Sequence, residues 1–477
     1  MSIVAPATPA DLPAGKPGRP FRLRIIPPID TYPSVVSFAQ TWPGKITLLL
    51  VFAFVLSFSM PDWRFTALWL GVITALPARR RLLVTIGMIQ WTFLLPLERT
   101  TFSAMIVPIL VNKACVLALA GILFWCAIRF RQSLFGRRPL VVLLTVFAVF
   151  IFAAGYLPGT FRFTPTVWSF ATIASSYLWF IGYCLLDRDS KNRDNFSLQL
   201  GTFRPFWGST NTPYPKGAAY LRRVEAKNAE QLAVTQLKGL KLLVWALILH
   251  EVSVGTVPFA HHFFAIPEYS VAFASSVQRA PYPWFVCWAS LISEFMENVL
   301  NMSITGHRIV ACCRMAGFAA LRNTYRPLES RTIAEFWNRY YFYFKELLVD
   351  MFFFPTFLRY FKKRPKLRLI AATFAAACFG NIYYHFFVDL GPIQRQGFWH
   401  AVAGYKVYAF YCVVLATAIS ISQLRKRKPI AAGWIRGHLA PVFGVGLFYC
   451  LLRVFSDSTG NYPIHEHFRF FGHLFNL

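Results

Sequence analysis

Acidic residues are scarce in this 477-residue chain: 20 Asp and Glu stand against 49 Lys and Arg, and charged residues together make up 14%. Soluble domains carry about 25% charged and roughly 45–50% apolar residues. Here the apolar fraction is 56% and the mean hydropathy is +0.46. That is too little charge to clothe a water-facing surface, so an ordinary soluble enzyme is excluded, as are disordered, collagen-like and coiled-coil chains. No CxxC pair and no Cys/His zinc spacing occurs. Seven of the nine cysteines stand singly in apolar stretches and Cys312 and Cys313 are adjacent, which argues against a disulfide scaffold and for small buried hydrophobes. No apolar core of signal-peptide length opens the chain; residues 1–44 hold nine prolines and read as a flexible cytoplasmic arm. No internal repeat is visible, and the two halves lack the matching hydropathy of many transporters. No His/Asp/Glu cluster has metal-ligand spacing, and His465-Glu466-His467 reads as a solvated terminal run. No metal is expected.

What the chain has instead is apolar runs. A hydrocarbon core about 30 Å thick asks for ~20 mainly apolar helical residues. Candidate spans lie near 46–60, 66–77, 82–97, 104–128, 139–156, 166–186, 238–258, 282–302, 367–389, 400–421 and 433–455. The expected fold is therefore all-α and polytopic, with about eleven transmembrane helices. A further run, 341–358, is short and aromatic, ends at Pro355, and reads as re-entrant or interfacial. With the N-terminus placed in the cytoplasm, 39 Lys and Arg fall on inside segments, six in outside loops and four within apolar stretches. Such a split satisfies the positive-inside rule. The excess of 29 positive charges then reads as contact with anionic lipid rather than nucleic acid. The longest inside loop, 187–237, has helical periodicity from Ala218 to Leu237, which reads as a segment lying on the membrane.

Polar groups inside apolar runs mark candidate chemistry. They are densest between 282 and 400. Glu294, Glu297, Asn298 and Asn301 share one helical face, where they read as glue between helices. His385 sits late in the 367–389 span, within Gly380-Asn381-Ile382-Tyr383-Tyr384-His385-Phe386-Phe387.

From 298 onward the pattern becomes specific. Tyr325-Arg326-Pro327-Leu328 leads to Arg331-Thr332-Ile333-Ala334-Glu335-Phe336-Trp337-Asn338-Arg339-Tyr340-Tyr341, then to Asp350 and Pro355. The run resembles the membrane-bound O-acyltransferase family, in the bacterial branch that modifies cell-envelope polymers. In that branch a basic-Pro pair precedes a Phe-Trp-x-Arg-Trp-His motif. An Asp follows nine residues after the motif histidine and a Pro five later, offsets at which Asp350 and Pro355 fall from Tyr341. The family's second histidine comes roughly 44 residues on, behind a Gly-rich turn, which is where His385 stands behind Gly380. Gly397-Phe398-Trp399-His400 matches a Trp and His that commonly follow one helix later. Tyr341 replaces the family's first histidine, and Tyr384 stands where Trp is usual. The resemblance covers 298–415 closely, within a transmembrane domain of 45–477.

The resemblance implies an inner-membrane, multi-pass acyltransferase with its N-terminus in the cytoplasm. It would move an acyl group, often acetyl, from acyl-CoA or an acyl-carrier protein to a hydroxyl on an envelope polysaccharide, polymer or lipid. The donor is a co-substrate, and no bound cofactor is implied. His385 would be the base, with Asn338, Tyr341 and Asp350 supporting it and Trp337, Asn381, Tyr384 and His400 binding substrate. Transfer needs a base near the hydroxyl proton and donors for the developing oxyanion. Asn338, Asn381 or the Tyr341 hydroxyl would supply the latter. Two other classes stay open: a non-catalytic relative acting as a scaffold, suggested by Tyr341, and a multi-span transporter or flippase, suggested by Arg453 within a span.

Overall fold

A computed structural model describes residues 25–94, 106–188, 195–425 and 435–477. Among these the chain is helical throughout, with no strand and one isolated bridge between Glu225 and Phe318. Residues 1–24 of the Pro-rich arm, the ends of the 82–97 and 104–128 segments, and Lys426, Arg427 and Lys428 lie outside the described residues.

Each expected span centres on a helix, but among the described residues six helices are both long and apolar enough to cross a membrane: Ile109–Arg129, Thr164–Asp187, Ala229–Phe263, Pro365–Val388, Lys406–Leu424 and Gly437–Phe455. A seventh forms if Pro33–Gln40 and Trp42–Ser57, bent by 98° at their junction, are counted together. The other segments fall short for different reasons. Trp63–Ala75 has 13 residues and Pro139–Ala154 has 16, while Arg80–Leu94 is described over 15 residues, with positions 95–97 of that expected span outside the described residues. Trp284–Met315 is long, but Glu294, Glu297, Arg308 and Arg314 make it too polar.

Three local expectations change. The arm is helical from Ile29 onward rather than flexible. It is fixed to the Ala229–Phe263 helix by Asp30, which pairs with Lys241 at 2.5 Å. The Ala218–Leu237 stretch is two helices, not one. Ala218–Val224 ends where Glu225 pairs with Arg81, and a new helix starts at Ala229 under an Asn228 cap that accepts from Gln231 N at 2.8 Å. The run near 341–358 passes Pro355 and ends at Arg359. A π turn at Val349–Phe353 puts Pro355 in the first turn of the next helix, where a missing N–H costs little.

Thr164–Asp187 is the central helix. Its most apolar stretch is 83% buried, against 17% for that of Ala229–Phe263, whose buried residues lie in its N-terminal half, from Leu232 to Ala246. Trp168, Tyr177, Trp179 and Phe180 pack into the largest core cluster. Small residues let neighbours close in on this helix: Ser175 Oγ donates to the Phe387 carbonyl, and Gly182 leaves room for Met351.

Candidate functional site

Two π turns frame the site. One is Val349–Phe353; the other is Ala375–Gly380, inside the Pro365–Val388 span. They meet where Phe352 packs on Gly380. A Cβ on that glycine would lie 2.7–3.0 Å from three ring atoms, so no larger residue fits without a shift. The helix Asn381–Val388 leaves this contact carrying Asn381, Tyr384 and His385.

His385 is half-buried in a ring of aromatics. Its imidazole centroid lies 5.0 Å from Tyr384, 5.0 Å from Tyr408 and 5.5 Å from Phe344. Neither ring nitrogen has a hydrogen-bond partner among the described residues. Asn381 is 1% exposed, and its Oδ1 accepts from the Tyr408 hydroxyl at 3.2 Å. Its Nδ2 has no partner among the described residues. Tyr384 stacks on Trp179 with centroids 5.4 Å apart.

A chain of hydroxyls joins the two halves of the motif region. Tyr341 donates to Thr212 Oγ1 at 3.0 Å, and Thr212 Oγ1 lies 2.8 Å from the Tyr384 hydroxyl. Thr212 is fully buried. Trp337 packs on Phe344, and its indole N–H is buried without a partner.

Asp350 belongs to a separate ionic cluster. Lys216 Nζ lies 2.6 Å from Asp350 Oδ2 and 2.8 Å from Glu346 Oε2, while Tyr183 donates to Asp350 at 3.1 Å. Burial alone would lower the Lys216 pKa, but Asp350 and Glu346 outweigh it and hold the ammonium above the ordinary lysine value. This cluster edges a cavity of ≈ 300 Å³ that Asp187, Lys216, Arg223 and Asp350 help to line.

The structure brings together His385, Asn381, Tyr384, Tyr341 and Trp337, and sets Asp350 with Lys216. Asn338 and His400 are exposed and join neither group. Neighbouring Trp399 donates its indole N–H to Tyr156 at 2.9 Å. Glu294 pairs with Arg453 at 2.8 Å, which gives the polar face of Trp284–Met315 one of its interhelical contacts. His465 is exposed, but Glu466 and His467 are buried at 7% and 3%, not solvated, because the Ile464–His473 helix packs down on Phe273 and Phe455.

Thr212, Lys216 and Tyr408 were missed from sequence. Asn211-Thr212-Pro213 signals only a turn. Lys216 is one cation among many in a basic loop. Tyr408 is one aromatic in a chain where aromatics make up 17%.

Fold and site together define an all-helical chain with several helices apolar enough to cross a membrane and a histidine held in an aromatic chamber among them. No family model matches this chain, and no curated protein matches it.

Proposed function

We propose that this protein is a multi-pass inner-membrane O-acyltransferase of the type that modifies cell-envelope polymers. One observation carries the reading. The residues that resemble the family's two motif positions, Tyr341 and the Tyr384-His385 pair, converge through Thr212, and the imidazole beside them is left uncommitted.

In this reading His385 takes the proton from an acceptor hydroxyl as its oxygen attacks the thioester carbonyl. The new C–O bond forms, the C–S bond breaks, and the imidazolium returns its proton to the leaving thiolate. The Asn381 amide, held by Tyr408, and the one hydroxyl proton left at the Thr212–Tyr384 end of the chain are the donors for the oxyanion, the Tyr341 proton being given to Thr212. Lys216 and Asp350 brace the loop that presents Thr212 and take no part in the proton path. The donor is acyl-CoA or an acyl-carrier protein. The acceptor is a hydroxyl on an envelope polysaccharide, polymer or lipid.

A second reading, a non-catalytic relative, is favoured by the exposure of Asn338 and His400 and by the commitment of the Tyr341 hydroxyl to Thr212. Purified protein given radiolabelled acyl-CoA or acyl-carrier protein with a hydroxyl acceptor separates the two. Transfer that vanishes in His385→Ala supports the enzyme, whereas no transfer from either donor leaves the scaffold. The charge split supports a cytoplasmic N-terminus and a cytoplasmic 359–368 basic cluster. In a cysteine-free background, Lys362→Cys should then label only from that side.

A further inference from the structure

The helix that carries His385 has a second face, and a groove of ≈ 310 Å³ runs along it. Its walls are Phe379, Tyr383, Phe386, Phe398, Val402 and Tyr405, with Ala409 on its floor and Lys406 the one charged residue lining it. Phe379 is 61% exposed and Val402 39%, so the groove opens on the outside of the helical bundle, where a multi-span chain meets acyl chains.

One polar group sets this groove apart from an ordinary greasy surface. Lys406 is exposed and has no acidic partner among the described residues. In the preceding segment 389–405 the one carboxylate, Asp389, accepts instead from the Gly391 N–H at 3.0 Å. An apolar trough lined by one unpaired cation is complementary to an amphiphile with an anionic head.

We propose that this groove holds one acyl chain of an anionic phospholipid, with the phosphate at Lys406. The occupant is a lipid of the surrounding bilayer, because the groove opens sideways onto it and bilayer phospholipid is in excess there. The site rests on the multi-span reading but not on acyl transfer, so failure of either proposal leaves the other standing.

The test is native mass spectrometry of the full-length protein in detergent, offered phosphatidylglycerol and phosphatidylcholine of matched chains in equal amounts. The wild-type protein should retain more phosphatidylglycerol, by about tenfold. Lys406→Gln, an exposed change that leaves the groove intact, should remove that preference while keeping some lipid. Ala409→Trp should fill the trough and lower retention of both lipids. Thermal melts of the variants establish that they remain folded. Equal retention of the two lipids by the wild type overturns the proposal, as does a preference that survives Lys406→Gln or retention untouched by Ala409→Trp. Stronger retention of a polyprenyl phosphate than of phosphatidylglycerol overturns the choice of occupant.

Discussion

Tyr341 and Tyr384 share a single threonine hydroxyl, at 3.0 Å and 2.8 Å, although 42 residues lie between them in sequence. Thr212 is fully buried, so replacing it with the near-isosteric valine strands the Tyr384 hydroxyl away from water. An unmet buried polar group costs about 1–3 kcal/mol. Thr212→Val should lower the melting temperature accordingly. Tyr341→Phe should cost less, because Tyr341 is only half-buried and sits at the end of the chain of hydroxyls. Equal melting of Thr212→Val and wild type would break this account of the site.

His385→Ala should reduce acyl transfer by about 10²–10⁴, the range for loss of a general base. The protein should still insert and fold, because the imidazole makes no hydrogen bond whose loss would be felt. His400→Ala should change the rate far less, since that side chain is exposed and stands apart from the chamber. The opposite ranking in a single-turnover assay would move the base to His400.

Lys216 is held by Asp350 and Glu346 with side chains 12% to 22% exposed. Breaking one side of a fully buried pair costs about 3–5 kcal/mol, and partial exposure lowers that to roughly 2–3. Lys216→Met should show this loss in denaturant melts, and adding Asp350→Asn should recover part of it. The sign with pH follows from the raised lysine pKa. The stabilisation is complete below the ordinary lysine value and is lost only as pH rises through the higher folded one. It should therefore be flat across the neutral range.

His467 titrates the other way. Burial holds its imidazole below the ordinary histidine value, against the opposing pull of the Val454 carbonyl at 2.7 Å and of Asp457. An unfolded histidine takes its proton near pH 6.5, whereas the folded one resists until lower pH. Its contribution is therefore full above about 6.5 and is lost as pH falls. Protection factors in Ile464–His473, taken relative to the intrinsic exchange rate at each pH, should fall on acidification, and His467→Phe should flatten that dependence. Protection factors that stay constant from pH 7 to pH 5 in the wild type would rule this out.

Gly380→Ala drives a methyl group into the Phe352 ring, and overpacking of this kind costs about 1–3 kcal/mol. Phe352→Leu should offset it in the double variant. A double variant no more stable than Gly380→Ala alone would show that the contact does not set the spacing of the two π turns.

Much of this was legible in the residues, unevenly. Helices appeared where apolar runs ran, because hydropathy and helical period act locally. Membrane-crossing length did not: Trp63–Ala75 and Pro139–Ala154 have the composition without the extent. The gathering of Trp337, Tyr341, Asn381, Tyr384 and His385 followed from motif offsets. Asp350 sat at the right offset too, but its partner is Lys216, on a loop whose path is set by packing against Tyr183 and Tyr220 rather than by its own pattern. Thr212 was invisible for the same reason. Asn338 shares a short amphipathic helix with Trp337 and Phe336, and one helical step is enough to turn it from the core to the surface.

A π turn is what a single surplus residue makes of an α-helix, absorbed locally so that the helix on either side keeps its bearing. The span bearing His385 contains such a turn at Ala375–Gly380, directly before the helix that carries Asn381, Tyr384 and His385. Deleting one residue from Ala375 to Ala377 should therefore relax the turn to α-helix and leave His385 still facing Phe344 and Tyr408. The same deletion at Phe386 or Phe387, inside the helix and outside any π turn, would have no slack to take up. The length of this span is thus more forgiving on one side of the histidine than on the other.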